Sequence, residues 1–319
     1  MQRVFLLGSG FSVPAGAPLS KEILRKIFSK HSLDVEVAQL ETWLDSHLFH
    51  NHPTNCREAD FEEVISRLEL FEHYSKPNSP QRRELEAMVG LLLHEFISLL
   101  QPKLLQNNLS CYNSFVSKLV PEDIILTFNY DLVVEKALER QHFGFDYLLS
   151  PTSSDAFQNN SQTSLISAIP VIKLHGSINL FFCNRCNHIQ QACPENDRNL
   201  VCSNCALITL PDERAILHPF LIAPTLFKSY SLPDLRRLWH SAFKYLSNAN
   251  ILIVIGYSLP AADILAAQLL DFAHRSCPHP QKVLVVNGPK ANPIRLEAIY
   301  GQSLENTRLA FADWVKSDS

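Results

Sequence analysis

The sequence lacks three features that would place it at once: a strong charge of either sign, a long apolar run, and any internal repeat or low-complexity tract. Lys and Arg total 28 against 32 Asp and Glu, a formal charge of −4, so there is no general electrostatic pull toward nucleic acid or an anionic membrane. Any such contact would need a local patch. The longest apolar runs, Ile251–Ile255 and the neighbourhood of Leu91–Leu93, fall far short of the roughly 20 residues that span a bilayer. Near the N-terminus one Arg is followed only by Val4–Leu7 before Gly8, too little for the apolar region of a secretory signal. The expectation is a cytoplasmic protein with no membrane partner and no direct nucleic-acid partner.

What is present is an ordinary globular composition. The chain is 46% hydrophobic and 19% charged over 319 residues, which excludes wholesale disorder and allows a large core. That length fits about two domains of roughly 150 residues, or one domain with insertions. The unusual number is eight cysteines. Four fall as Cys183-x2-Cys186 and Cys202-x2-Cys205, with fifteen residues between the pairs, while Cys56, Cys111, Cys193 and Cys277 are scattered. In a reducing compartment this spacing points to zinc rather than disulfides, the alternative being four reduced thiols without metal. Two such knuckles hold zinc through four thiolates and leave no open position, so the site is structural. Cys193 lies in the loop between the pairs, as a bystander or as a replacement for one of the four ligands.

Residues Arg3–Leu7 form a short β-prone run that ends in Gly8-Ser9-Gly10, and a helix-permissive stretch follows from Leu19 to Ser29. The same grammar returns at Asp123–Phe128 before Asp131–Gln141, at Val171–Leu174 before His175-Gly176, at Asn250–Ile255 before Gly256, and at Lys282–Val286 before Asn287. Fully apolar strands such as Ile251–Ile255 suit a sheet covered on both faces, hence parallel strands with helical crossovers. The predicted class is α/β, doubly wound. Between about Ser29 and Leu119 helical periodicity takes over, in Val35–Leu48, Phe61–Tyr74 (with Asp60 as cap) and Pro80–Leu105. This block reads as a helical insertion, and residues 150–163 read as a polar surface loop.

Six segments carry candidate chemistry. Gly8–Pro18 follows a strand, where glycines and free N–H groups suit a pyrophosphate; a plain tight turn is the alternative. Thr127-Phe128-Asn129-Tyr130-Asp131 stands at a strand's carboxyl end, where ligands bind in open α/β sheets, although Asn129 or Asp131 can equally cap the next helix. Lys173-Leu174-His175-Gly176-Ser177 presents a histidine suited to general-base work, with a glycine that leaves room for substrate. Its position alone lifts His175 above the other twelve of the 13 histidines, such as His47, His50, His52 and His142. Gly256-Tyr257-Ser258-Leu259-Pro260 and Asn287-Gly288 offer donors and acceptors for phosphate and ribose, or are simple turns. The paired cysteines are the sixth.

Taken in order, these elements resemble the sirtuin-type NAD-binding fold, and more closely its SIR2-like NADase branch than the protein deacylases. Residues 8–18 resemble the sirtuin glycine-rich loop, 127–131 the T-x-N-x-D motif, and 174–177 the segment with the catalytic histidine. The two C-x2-C pairs follow it as sirtuin zinc knuckles do, and 256–260 and 286–287 resemble the later phosphate and ribose elements. Deacylases carry Asp-Phe-Arg after the first loop, where this chain has Leu19-Ser20-Lys21, and Gln before the motif Asn, where it has Phe128. The wordings around Asn129, His175 and Gly256–Asp263 are similar to those of bacterial SIR2-like domains, many of which hydrolyse NAD in antiphage defence.

The resemblance implies a Rossmann-like parallel sheet with a helical insertion and a small zinc module. Residues 1–29, 119–180 and 211–319 would form the NAD-binding domain, 30–118 the insertion, and 181–210 the module. It implies NAD+ as substrate, with Asn129 and His175 catalytic. Gly8, Ser9, Gly10, Phe11, Ser12, Pro18, Thr127, Asp131, Gly256, Ser258 and Asn287 would bind the dinucleotide. Structural Zn2+ would sit on Cys183, Cys186, Cys202 and Cys205. Implied partners are further copies of the chain and a co-encoded regulator such as an ATPase or an Argonaute-type protein. NAD-dependent deacylation and a non-catalytic NAD or ADP-ribose sensor are the alternatives.

Overall fold

Strand β1 (Arg3–Leu7) is buried from Val4 to Leu7, on both faces, as its unbroken apolar run requires. In the computed structural model, which describes residues 1–30, 34–50, 55–100, 110–149, 168–192, 202, 204–205, 217–222 and 232–317, this strand is the centre of the molecule's main sheet. The polar loop expected at 150–163 and Cys193 lie outside the described residues.

After β1 come α1 (Ser9–Ser12), α2 (Ser20–Lys30), α3 (Val35–His47), α4 (Phe61–Tyr74), α5 (Pro80–Leu100) and α6 (Ser110–Val116). Then follow β2 (Ile124–Thr127), α7 (Val133–Arg140), β3 (Phe145–Asp146), β4 (Ile169–Lys173), β5 (Gly176–Cys183), β6 (Ile189–Gln191) and β7 (Leu217–Leu221). The chain closes with α8 (Pro233–Asn248), β8 (Ile251–Ile255), α9 (Ile264–Arg275), β9 (Lys282–Val286), α10 (Ile294–Tyr300), β10 (Leu304–Asn306) and α11 (Phe311–Ser317). Seven strands form a sheet in the order β10-β9-β8-β1-β2-β4-β3, every pairing parallel. The α/β parallel sheet is therefore as expected. Three more strands, β6-β5-β7, form a separate antiparallel sheet.

The chain divides into two compact units. The first, Met1–Ala15 with Pro102–Leu221 and Tyr230–Ser319, contains both sheets. On one face of its main sheet Leu6, Leu126, Ile172 and Val254 pack with Leu238 and Leu246 of α8 and Leu270 of α9. On the other, Phe5 meets Phe115 edge to face at 5.3 Å, and Phe11, Tyr112 and Phe311 complete an aromatic cluster with it. Burial drives the Tyr112 phenol far up, so it stays protonated. Its hydroxyl donates to Phe11 O at 2.8 Å and accepts from Ala15 N at 3.1 Å, fixing the chain just after β1.

The second unit, Gly16–Gln101 with Ile222–Ser229, holds α2 to α5. Asp60 caps α4 as expected, accepting from Glu62 N at 3.0 Å. The unit starts at Gly16 rather than near residue 30 because α2 belongs with these helices. It buries Ile23, Leu24, Ile27 and Phe28, and Ser20 Oγ donates to Asp60 at 2.9 Å. Conversely α6, expected within the insertion, belongs to the first unit through the Tyr112 and Phe115 rings.

Candidate functional site

The carboxyl ends of β8, β1, β2 and β4 are neighbours in the sheet, so Gly256, Gly8, Phe128 and Leu174 emerge side by side. This edge is where parallel α/β sheets bind ligands. The glycines here serve the backbone first. A Cβ on Gly8 would lie 2.6 Å from Gly256 O, and one on Gly256, whose φ is +66°, would lie 2.2 Å from Phe11 N. The two loops touch backbone to backbone, and only glycine permits it. The N–H groups expected to be open to a pyrophosphate are partly committed: Gly8 N donates to Ile255 O and Gly10 N to Gly256 O, each at 2.9 Å. Ser9 is exposed and Ser12 is buried. The Phe11 ring, 1% exposed, belongs to the aromatic core. Pro18 is buried within the second unit.

Asn129 ties two strand ends together. Its Nδ2 donates to Gly8 O at 2.9 Å and to Ser12 Oγ at 3.1 Å. A carbonyl only accepts, which fixes the amide orientation. With both amide hydrogens engaged, the group Asn129 has left to offer a ligand is Oδ1, an acceptor. Thr127 supports it from below: its Oγ1 donates to Leu7 O at 3.3 Å and accepts from Asn129 N at 3.0 Å. Asp131 is buried, and its Oδ1 accepts from Val133 N at 3.0 Å, the capping alternative open to it in the sequence. Beneath this segment Lys173 Nζ, 1% exposed, donates to Asp131 O at 2.6 Å and to Glu135 Oε1 at 3.0 Å. Tyr147 donates to the same carboxylate oxygen at 3.1 Å. Its phenol is pushed far up by burial and by the Glu135 charge, so it remains a donor.

His175 occupies the two-residue link where the chain leaves the main sheet at Lys173 and enters the small sheet at Gly176. Its ring is buried, with the Phe128 ring centroid at 4.8 Å and Tyr130 at 6.1 Å. Phe128 in turn stacks on Tyr257 at 4.5 Å. Trp239 Nε1 donates to Leu174 O at 3.1 Å and holds the link from the α8 side. His175 Nε2 lies 3.8 Å from Asp263 Oδ1, and Asp263 Oδ2 accepts from the Tyr257 hydroxyl at 2.7 Å. At Gly176 the space a side chain would take is already filled. With φ +82°, a Cβ there would stand 2.0 Å from Phe220 O of β7, so the glycine lets the small sheet close against the link.

Ser258 is exposed, whereas Asn287 Nδ2 donates to Tyr257 O at 2.7 Å and joins the β8 and β9 loops. Between them Leu259 is 1% exposed and has φ +56°, a strained conformation for a branched-chain residue next to a site. The four paired cysteines come together on the small sheet, all four Sγ atoms within 4.8 Å of one another. The Cys183–Cys205 and Cys186–Cys202 sulfurs stand 3.8 and 3.7 Å apart, too far for a disulfide. Four thiolates about 2.3 Å from one tetrahedral centre are separated by about 3.8 Å, so the donor set fits zinc. Burial raises the Cys186 thiol, but hydrogen bonds from His188 N–H and the Asn204 amide outweigh it and bring the group to about 7.

Sequence reasoning missed the supporting groups: Tyr257, Trp239 and the Lys173–Glu135 pair. None of them has a local pattern that sets it apart. Asp263 is visible in the sequence only as the last residue of the Gly256–Asp263 wording.

No curated protein matches the chain. Among solved structures it is similar to a sirtuin from a study of substrate affinity, at 18% identity and a TM-score of 0.49, over 99% of this chain and 91% of that one. It is also similar to a Sir2 structure with a p53 peptide and NAD+, at 17% identity and a TM-score of 0.47, over 99% and 90%. Among the described residues no helix is long and apolar enough to cross a membrane. The SIR2-like domain family matches residues 123–304, more than half the chain, which takes in Asn129, His175, the four cysteines and Asp263. The chain belongs to the SIR2-like family, which supports an NAD-related function.

Proposed function

We propose that the protein is an NAD+ glycohydrolase, releasing nicotinamide and ADP-ribose. The observation that carries this reading is the enclosure of His175. It is 4% exposed and walled by Phe128 and Tyr130, with Phe128 itself backed by Tyr257. A base so enclosed suits water as the nucleophile better than an acyl group on a protein side chain. Nicotinamide is already cationic in NAD+, so its departure needs no proton. What the site must supply is position and stabilisation of an oxocarbenium-like state.

In this reading the Asn129 Oδ1 acceptor orients the attacking water or a ribose hydroxyl. Water oxygen bonds to the ribose carbon as the bond to nicotinamide nitrogen breaks, and the water proton passes to His175. Ser9, Ser12 and the loop from Gly8 to Phe11 border the pyrophosphate, Asp131 and Thr127 shape the nicotinamide end, and Gly256, Ser258 and Asn287 border the adenosine half. Zinc on Cys183, Cys186, Cys202 and Cys205 would be closed to other ligands and hold the small sheet together.

The motif wordings support a setting in antiphage defence by NAD depletion, with a homo-oligomer controlled by a co-encoded ATPase or Argonaute-type protein. A second reading, NAD-dependent deacylation, is favoured by the four-cysteine cluster placed directly after His175. The test is nicotinamide release from NAD+ by the wild type and by Asn129→Ala and His175→Ala. The proposal expects both variants to fold and to lose release; retained turnover in either removes its role.

A further inference from the structure

Asp263 stands at the N-cap of α9, yet its side chain makes no capping hydrogen bond to that helix. Aspartate at this position ordinarily accepts from the helix's first N–H groups. Here one carboxylate oxygen accepts from Tyr257 at 2.7 Å and the other stands 3.8 Å from His175 Nε2. That distance is too long for a hydrogen bond and well within reach of charge. Both side chains are 5% exposed, so solvent screens the pair little.

We propose that Asp263 is a positioning residue of the site: held by the Tyr257 hydroxyl, its carboxylate is set where it stabilises the protonated form of His175. The proposal rests on the reading of His175 as the base in nicotinamide release. When His175 takes the water proton it becomes an imidazolium in a buried place, and Asp263 is the counter-charge that meets it. The arrangement uses the logic by which a buried aspartate steadies a catalytic histidine in hydrolytic triads, here with a tyrosine orienting the aspartate.

Among the described residues, the titratable groups placed against the His175 ring include Asp263, from the start of α9, and Tyr130, from the segment between β2 and α7. Lys173, two residues earlier on β4, directs its ammonium to Asp131 O and Glu135. Asp263 sets a negative charge 3.8 Å from the ring nitrogen. Its removal must lower the pH at which His175 titrates, because an opposite charge favours the protonated form.

The experiment is an NMR titration of the His175 imidazole in the full chain without substrate, its signal assigned by its loss in His175→Ala. It compares the wild type with Asp263→Asn and Asp263→Ser, both of which keep a residue suited to start a helix. The expected result is a fall of about one pH unit or more in each folded variant, with Asp263→Glu restoring most of it. The acid limb of kcat/KM for nicotinamide release should move down by the same amount. A His175 titration unchanged in a folded charge-removing variant overturns the proposal. If the wild type releases no nicotinamide, the hydrolytic reading fails, and the titration still decides the role of Asp263.

Discussion

The Asn129 side chain and the Gly8 carbonyl are joined by a 2.9 Å hydrogen bond across 121 residues of chain, so the ends of β2 and β1 are held in one register at the ligand edge of the sheet. Asn129→Asp replaces both donated hydrogens with a carboxylate facing a carbonyl oxygen. The variant should lose nicotinamide release and about 1–3 kcal/mol of stability, as expected when a hydrogen bond is lost and its partners are left unmade. Denaturant unfolding reads the second effect, and wild-type stability in the variant would contradict it.

The Lys173–Glu135 pair lies under the site with both side chains nearly inaccessible. Lys173→Met leaves the Glu135 charge buried with, among the described residues, the Tyr147 hydroxyl beside it, and frees the Asp131 carbonyl. A loss of about 3–5 kcal/mol is expected in urea unfolding. A change below about 1 kcal/mol would show that the segment from Asn129 to Asp131 is held by other means.

Glycine positions separate cleanly. Gly256→Ala meets Phe11 N and a positive φ, and should cost folding yield as well as activity. Gly90 is exposed in α5, and a methyl group added there would meet no atom within 4 Å. Gly90→Ala should raise stability by about 0.4–1 kcal/mol with activity unchanged. Thermal melts of the two variants, moving in opposite directions, check the contrast.

Zinc content gives an independent check. Purified protein should carry one zinc per chain by elemental analysis, and Cys202→Ser should lose it. Acidification should release the metal, because protons compete for thiolates. Protein that retains no zinc after purification without chelators would remove the metal from the account.

Much of the fold is legible in the residues. Arg3–Leu7 and Lys282–Val286 can be read at their observed limits because unbroken apolar runs beside glycine-rich turns have few other uses. The strand carboxyl ends put Asn129 and His175 on one edge by topology alone. What stays hidden depends on tertiary contact. The single-turn glycine loop has the look of a phosphate cradle, but its glycines answer to Gly256, 248 residues away from Gly8. The side-chain space that Gly176 leaves is taken by the Phe220 backbone, which no local pattern announces. The short strands β3 and β10, two and three residues long, carry too little pattern to be seen. The placement of α2 with the helical unit follows from its buried face, not from its nearness to β1 in sequence.

The central claim is hydrolysis of NAD+ by water at the Asn129–His175 site. Its most direct test is chromatography of the products from NAD+ incubated with the full chain, with and without an acetyl-lysine peptide, at low and high protein concentration. The account predicts nicotinamide and ADP-ribose in equal amounts without peptide, and no change in rate when peptide is added. Nicotinamide release that requires the peptide, with acetylated ADP-ribose as the coproduct, would contradict it.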